Sequence, residues 1–339
     1  MKPPRNSLKI WSQYLCTRTV AMLLTMFDAD ANVRSSRVIG RGIYRWGGRR
    51  TSRARANLQR SFPEFAPHKR EQVLRASFEH FTQLVLEVIH TPRIIHPDTW
   101  SRRVSITHMG QAIQLLNTGR PVLMVTGHLG NWEVLGYLLA VLGYHVHAIA
   151  RPIDNPLINQ WLLGIREKRG MEIITKWDAT ERMMQVIDAG EPLAFIADQN
   201  AGERGLFVPF FGRMASTYKS VGLLAIRREL PIICGYAHRV GPDCRYELGT
   251  QDIIYPHQWQ EQDDPLYYIT ARYMRAIENM VRLRPAQYLW MHRRWKSRPR
   301  WEKAGKPMPA NVIRQLEALP WMDQPQMDRL LAPTVAEFA

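Results

Sequence analysis

Pro121-Val-Leu-Met-Val-Thr-Gly-His-Leu-Gly-Asn-Trp-Glu133, continuing through apolar residues to Leu142, is the stretch on which the reading of this chain turns. Pro121 to Val125 has the length and the aliphatic, β-branched composition of a buried strand. Gly127 and Gly130 supply the backbone freedom that a sharp strand-to-helix turn needs. Asn131 is placed to N-cap the helix that follows, with Glu133 in its first turn and His128 just outside it. A base and a carboxylate therefore converge at a helix N-terminus, whose partial positive charge favours the ionised acid. An ionised Glu133 can fix the tautomer of a neighbouring imidazole, so that His128 takes a proton from an alcohol. A histidine with an acid five residues on also arises by chance, as a loop histidine beside a solvated helix-start acid, so the company it keeps downstream decides.

The chain has 339 residues, enough for one large α/β domain or one domain with a helical extension. Its 46 Lys and Arg against 30 Asp and Glu give a net charge of +16. Such a chain calls for an anionic partner: nucleic acid, an anionic membrane surface or a phosphorylated substrate. Cys16, Cys234 and Cys244 form neither a disulfide framework nor a metal-ligand spacing, which argues for a reducing compartment. No secretory signal is visible. Ile10 to Phe27 is apolar but interrupted by Ser12, Gln13, Thr17, Arg18 and Thr19, whereas a spanning helix wants roughly 20 predominantly apolar residues. This segment reads as lying in or on a membrane interface. From Ala31 to Pro63 there is no acidic residue, and Arg34, Arg37, Arg41 and Arg45 recur at helical spacing with Ile39, Ile43 and Trp46 opposite. That is the pattern of a basic helix resting on anionic lipid.

Pro67 to about Thr91 is patterned as an amphipathic helix with Leu74, Phe78, Leu84 and Val88 inward, and Glu87 near that face reads as a paired structural acid. After the central motif, strands at 144–150, 171–175, 192–197, 231–237 and 245–248 alternate with helical segments. Asn200 to Ala215 reads as a long loop, and Ser216 and Thr217 as the cap of a helix to Arg228. The fold class is α/β, a central and mostly parallel sheet flanked by helices. Its organisation is an N-terminal basic, membrane-associating helical region over 1–62, a main domain over 63–300 and a peripheral tail over 301–339.

In such sheets reactive groups gather at the carboxyl ends of strands. His128 with Glu133, Arg151, Asp198 and the apolar loop after it all fall at such ends, with Arg166 on an intervening helix. A base, an acid, cations and an apolar loop suit a reaction between an alcohol and a long-chain thioester on an anionic substrate. Direct attack fits, because no Gly-x-Ser-x-Gly elbow exists to form an acyl-enzyme and Cys234 lies in an apolar, core-like run. Arg213, beside Gly212 and the helix start at 216–217, is a phosphate candidate. Arg293, Arg294, Lys296, Arg298 and Arg300 interleave with Trp290, Trp295 and Trp301, which suits the headgroup level of a membrane or a return to the mouth of the site. Two rival classes are weaker. The cations are not grouped into a nucleic-acid reading motif, so no nucleic-acid partner is expected. A metal-dependent hydrolase would draw on His128, Glu133, Asp198, His145 and His147, whose spacing matches no common metal set, so no metal is expected.

Six landmarks together resemble a known family. They are Asn57-Leu-Gln-Arg-Ser-Phe-Pro63, Gly127-His-Leu-Gly-Asn-Trp-Glu133, Arg166-Glu-Lys-Arg-Gly170, Ala197-Asp-Gln199, Phe207-Val-Pro-Phe-Phe-Gly212 and Trp290-Met-His-Arg-Arg-Trp-Lys-Ser-Arg-Pro299. In order and spacing they are similar to the lysophospholipid acyltransferase superfamily, and within it to the bacterial lipid A late (lauroyl/myristoyl) acyltransferases and the related phosphatidylinositol mannoside acyltransferases. The likeness runs from Asn57 to Pro299. It implies a glycerolphosphate-acyltransferase-like fold, with His128 and Glu133 as the His-X4-Glu catalytic pair and Arg166 and Asp198 as further functional positions. Arg151, Arg213 and Arg293 join Arg166 as candidate contacts to the anionic substrate. The implied donor is an acyl carrier protein or coenzyme A thioester, used as a substrate with no bound cofactor. The implied acceptor is an anionic glycolipid such as a lipid A precursor, met at the cytoplasmic face of a bacterial inner membrane, peripherally or through an N-terminal anchor. Ile10 to Phe27 departs from the cleaner hydrophobic anchor with which the lipid A branch usually begins.

Overall fold

The structure, a computed structural model, describes residues 7–175 and 179–332. Four helices come first: α1 (Ser7–Thr25), α2 (Ala29–Trp46), α3 (Arg49–Ser61) and α4 (Pro67–Ile94). The α/β body follows as β1 (Val104–Thr107), α5 (Gly110–Leu116), β2 (Leu123–Thr126), α6 (Trp132–Val141), β3 (His147–Ala150), α7 (Pro156–Arg166), β4 (Glu172–Thr175), α8 (Ala179–Asp188) and β5 (Leu193–Ile196). Then come β6 (Leu206–Phe210), β7 (Arg213–Thr217), α9 (Ser220–Arg228), β8 (Ile232–Arg239), β9 (Tyr246–Ile254), α10 (His257–Gln260) and α11 (Pro265–Leu283), and last α12 (Arg300–Lys303), α13 (Ala310–Glu317) and α14 (Gln324–Leu331).

Seven strands form one sheet in the order β1-β9-β8-β2-β5-β3-β4. The five from β8 to β4 run parallel, while β9 returns antiparallel to β8 and β1 lies parallel to β9. All four residues of β2 are buried. Leu123 and Val125 face a core shared with α11 residues such as Ile269, Tyr273 and Ile277. Met124 faces a second core, with Val134 and Leu138 of α6. Burial on both faces is why this strand reads as an unbroken aliphatic run, with no polar alternation.

Several expectations are corrected. The edge strand β1 was not among the strands expected. The stretch expected as a loop, 200–215, holds the antiparallel β6–β7 hairpin, with Ser216 and Thr217 inside β7 and the next helix starting only at Ser220. The segment after Trp301 is packed on the body, since Val312, Leu316, Leu319 and Met327 are part of the α11-side core. The arginine face of α2 also points differently. Arg37 and Arg41 each bond Glu79 of α4 at 2.8 Å, and Arg34 bonds Asp243 at 2.6 Å. The nearly buried Glu79 carboxylate must be compensated, so the heads of Arg37 and Arg41 reach to it while their side chains stay about half exposed. Val38, Ile39 and Trp46 are left exposed, as are Trp11, Leu15, Met22, Leu23, Met26 and Phe27 at α1 and its end. Among the described residues no helix is long and apolar enough to cross a membrane.

Candidate active site

Parallel pairing of β2 with β5 sets Thr126 opposite Ile196, so the residues two further on, His128 and Asp198, emerge side by side. Asp198 is fully buried and grips His128 twice. Its Oδ1 lies 2.6 Å from the ring Nδ1, and its Oδ2 accepts the backbone N–H of His128 at 2.9 Å. Burial alone would raise the Asp198 pKa, but the imidazole and the His128 backbone N–H hold the carboxyl well below the usual carboxylate range. An ionised carboxylate can only accept, so Nδ1 carries the proton and the Nε2 lone pair is left available as a base. The Gln199 amide nitrogen sits 3.2 Å from Nε2 and donates to that lone pair.

The turn that delivers His128 depends on glycine. At Gly130, with φ of +56°, a Cβ would collide with the Ala237 carbonyl oxygen of β8. Asn131 caps α6 as expected, its Oδ1 accepting from Val134 N at 2.9 Å, while its Nδ2 donates to Glu87 at 2.7 Å. Glu87 is the structural acid its position in the sequence suggests. It takes two 2.6 Å bonds from Arg239, and both side chains are buried. The catalytic turn thus rests on a satisfied ion pair contributed by α4 and β8.

Glu133 does not orient the ring. Both its oxygens are held by Arg166, from Nε at 2.8 Å and Nη2 at 2.6 Å. From the second position of α6 the side chain points across to the end of α7, while the ring is claimed by the neighbouring strand. Glu133 and Arg166 nevertheless line the same cavity of about 400 Å³ as His128, Gln199 and Arg151. The rest of its wall is mostly apolar, with Leu135, Leu139, Val146, Ile173 and Ile233 running between the sheet and α6. Arg151 is exposed and lies 3.8 Å from Asp154.

The remaining candidates fall elsewhere. Arg213 lines a different cavity, stacked 3.5 Å over the Trp295 ring and donating to Ser61 Oγ at 3.1 Å. Arg293 is exposed on the segment that follows Met291 and His292. Of its cationic neighbours, Arg294 is buried and donates to the Ser216 carbonyl and Thr217 Oγ1, and Arg298 is buried and donates to the Met214 carbonyl at 2.5 Å. These two satisfy backbone and side-chain acceptors of the β7 strand. The segment does return to the site, because the His292 ring lies 5.4 Å from that of His128. Trp132 also meets the imidazole edge-on at 5.1 Å. His292, Gln199 and Trp132 were missed as site residues; each sits inside a landmark block whose other members drew attention. His147 bonds Glu191 at 2.5 Å and His145 is exposed, and no metal-type cluster of His, Cys, Asp and Glu occurs among the described residues. Cys234 is a buried core residue whose thiol is pushed up by burial.

A parallel sheet sets a histidine and a carboxylate at the ends of adjacent strands, beside an apolar cavity with an arginine in its wall, an arrangement that suits acyl transfer to a hydroxyl. The model of the bacterial lipid A biosynthesis acyltransferases matches residues 1–297. This chain belongs to that family and is an acyltransferase. It is 26% identical over 267 residues to the lipid A biosynthesis lauroyltransferase of Escherichia coli (strain K12), covering 77% of this chain and 84% of that protein. It is 26% identical over 259 residues to the lipid A biosynthesis palmitoleoyltransferase of the same organism, covering 74% and 80%. To the corresponding myristoyltransferase it is 24% identical over 267 residues, covering 77% and 79%.

Proposed function

We propose that this protein transfers a fatty acyl chain from a thioester, carried by acyl carrier protein or coenzyme A, to a hydroxyl of a lipid A precursor or related anionic glycolipid. The observation that carries the reading is the His128–Asp198 pair on the wall of an apolar cavity. Nε2 of His128 takes the acceptor hydroxyl proton as the oxygen attacks the thioester carbonyl carbon. The tetrahedral intermediate collapses with cleavage of the C–S bond, and the imidazolium returns its proton to the departing sulfur. Asp198 holds the tautomer and balances the transient positive charge on the ring. Glu133 occupies Nε and Nη2 of Arg166, which fixes the guanidinium and directs Nη1 to an anionic group of the substrate or to the developing oxyanion. The apolar wall from Leu135 to Ile233 accepts the acyl chain.

The acceptor is met at a membrane surface. The exposed apolar residues of α1 and α2 enter the lipid, and α1 packs on α7, the helix that carries Arg166 to the cavity, through Asn155 Nδ2 donating to the Ile10 carbonyl at 3.0 Å. Purified protein given dodecanoyl, tetradecanoyl and hexadecanoyl thioesters, with lipid A precursor in detergent, is expected to add one acyl mass to the lipid. His128→Ala is expected to abolish the transfer with the fold intact. An unacylated acceptor with every donor, or full turnover by His128→Ala, would remove the reading.

A further inference from the structure

A second cavity, of about 920 Å³, shares no lining residue with the one at His128. Its walls come from the end of α3, the turn of the β6–β7 hairpin, α12 and the end of α14. Among the described residues the cations Arg213, Lys306 and Arg329 line it beside an Arg298–Glu302 pair held by bonds of 2.8 and 2.6 Å, and Arg60 also reaches its wall. Arg213 is the unusual member. Its Nε is buried without a hydrogen-bond partner, and the Glu278 carboxylate acts on it only through space. Among the described residues it donates to the neutral Ser61 hydroxyl, and its flat face is covered by the Trp295 ring. Burial first, and then the Arg60 and Arg298 guanidiniums, push its pKa down to about 9, the direction expected of a cation short of a counter-charge. A partly exposed guanidinium held by stacking, with an unspent donor and further cations around the same cavity, is suited to a planar or tetrahedral oxyanion.

We propose that this cavity is a second anion site, distinct from the acyl-transfer pocket, which takes a phosphate-bearing ligand on Arg213. A phosphate ester or diphosphate matches several cations better than a single carboxylate does, and the apolar flank of Phe211, Met308 and Leu330 accommodates the organic part of such a ligand. The site stands independently of the chemistry assigned to His128.

Equilibrium titration of the full chain tests it in two arms, inorganic pyrophosphate for a soluble phosphate and vesicles of phosphatidate in phosphatidylcholine for a lipid headgroup. Saturable binding is expected in at least one arm, and the arm that responds identifies the source. Arg213→Met is expected to weaken that binding by about tenfold to a hundredfold, the loss typical of charge-assisted bonds. Arg213→Lys, which keeps the charge and loses the fork, is expected to fall between and serves if Arg213→Met does not fold. His128→Ala is expected to bind as the parent does. Melting temperature separates binding from structure. If Arg213 exists to bind an anion, Arg213→Met melts no lower than the parent when no anion is present. Absence of saturable binding in both arms, binding undiminished in both Arg213 variants, or a lowered melting temperature with binding retained would overturn the proposal.

Discussion

Asp198→Asn separates the two carboxylates that compete for the role of orienting the base. In the parent, one oxygen of Asp198 accepts the His128 backbone N–H at 2.9 Å and the other faces Nδ1 at 2.6 Å. Asparagine has one acceptor oxygen, and the backbone N–H is a fixed donor that claims it. The amide nitrogen then faces Nδ1 and forces that atom to accept, which moves the ring proton to Nε2 and removes the lone pair that takes the hydroxyl proton. Loss of the correct tautomer in a comparable histidine–aspartate pair costs about 10⁴ in turnover, or about 5 kcal/mol of activation free energy. We expect kcat for acyl transfer to fall by about 10³ to 10⁴ with KM changed by less than about threefold. The assay is initial-rate transfer from a tetradecanoyl thioester at saturating acceptor, with circular dichroism to establish that the fold is retained. Glu133→Gln is the control, because it unlocks Arg166 without touching the imidazole tautomer. If Asp198→Asn keeps more than a tenth of parental turnover while Glu133→Gln loses a thousandfold, Glu133 is the orienting acid and the reasoning fails.

Three further predictions concern stability and specificity. Glu87→Gln leaves the buried Arg239 without its counter-ion, and loss of one partner of such a pair costs about 3–5 kcal/mol, so the melting temperature should drop by roughly 10 °C. His238 and His80 are both neutral in the fold: burial, then Arg284, holds His238 down at about 4, and burial, then Arg239, holds His80 well below 6.5. The unfolded chain therefore binds more protons, and stability should fall as pH drops from 6.5 towards 4, with His238 alone contributing about 3 kcal/mol; denaturant titrations at pH 7 and pH 5 check the sign. At Gly136 an added Cβ would stand 2.7 Å from Met171 Sδ, and both residues line the cavity beside His128. Gly136→Val should shift kcat/KM for dodecanoyl over hexadecanoyl thioesters by more than tenfold, since each misfitted methylene is worth about 1–3 kcal/mol.

What was legible in the sequence and what was not divides along chain separation. The strand, turn and helix around His128 could be read because their determinants, Gly130, Asn131 and the aliphatic run of β2, are local. The α/β class followed from the alternation after it. Strand order is set by contacts far apart in the chain, so nothing in the sequence announces that β5 lies beside β2, and Asp198 appeared as a strand-end acid while nearby Glu133 took its role. β1 escaped because it is a four-residue edge strand with two exposed positions, paired to β9 some 140 residues later. Some arginines misled: Arg294 and Arg298, read as surface charge, are buried on β7 acceptors, while Arg37 and Arg41 stay about half exposed but pair with Glu79. Arginine's long apolar stem and forked head make it as useful inside as out.

The pairing of Thr126 with Ile196 has a consequence for how such an enzyme diversifies. His128 and Asp198 each follow a strand of one ladder by two residues, so their spacing is set by backbone pairing. The flanking helices set the cavity wall, so substitutions there are expected to alter its shape while the His128–Asp198 spacing stays as the two strands hold it.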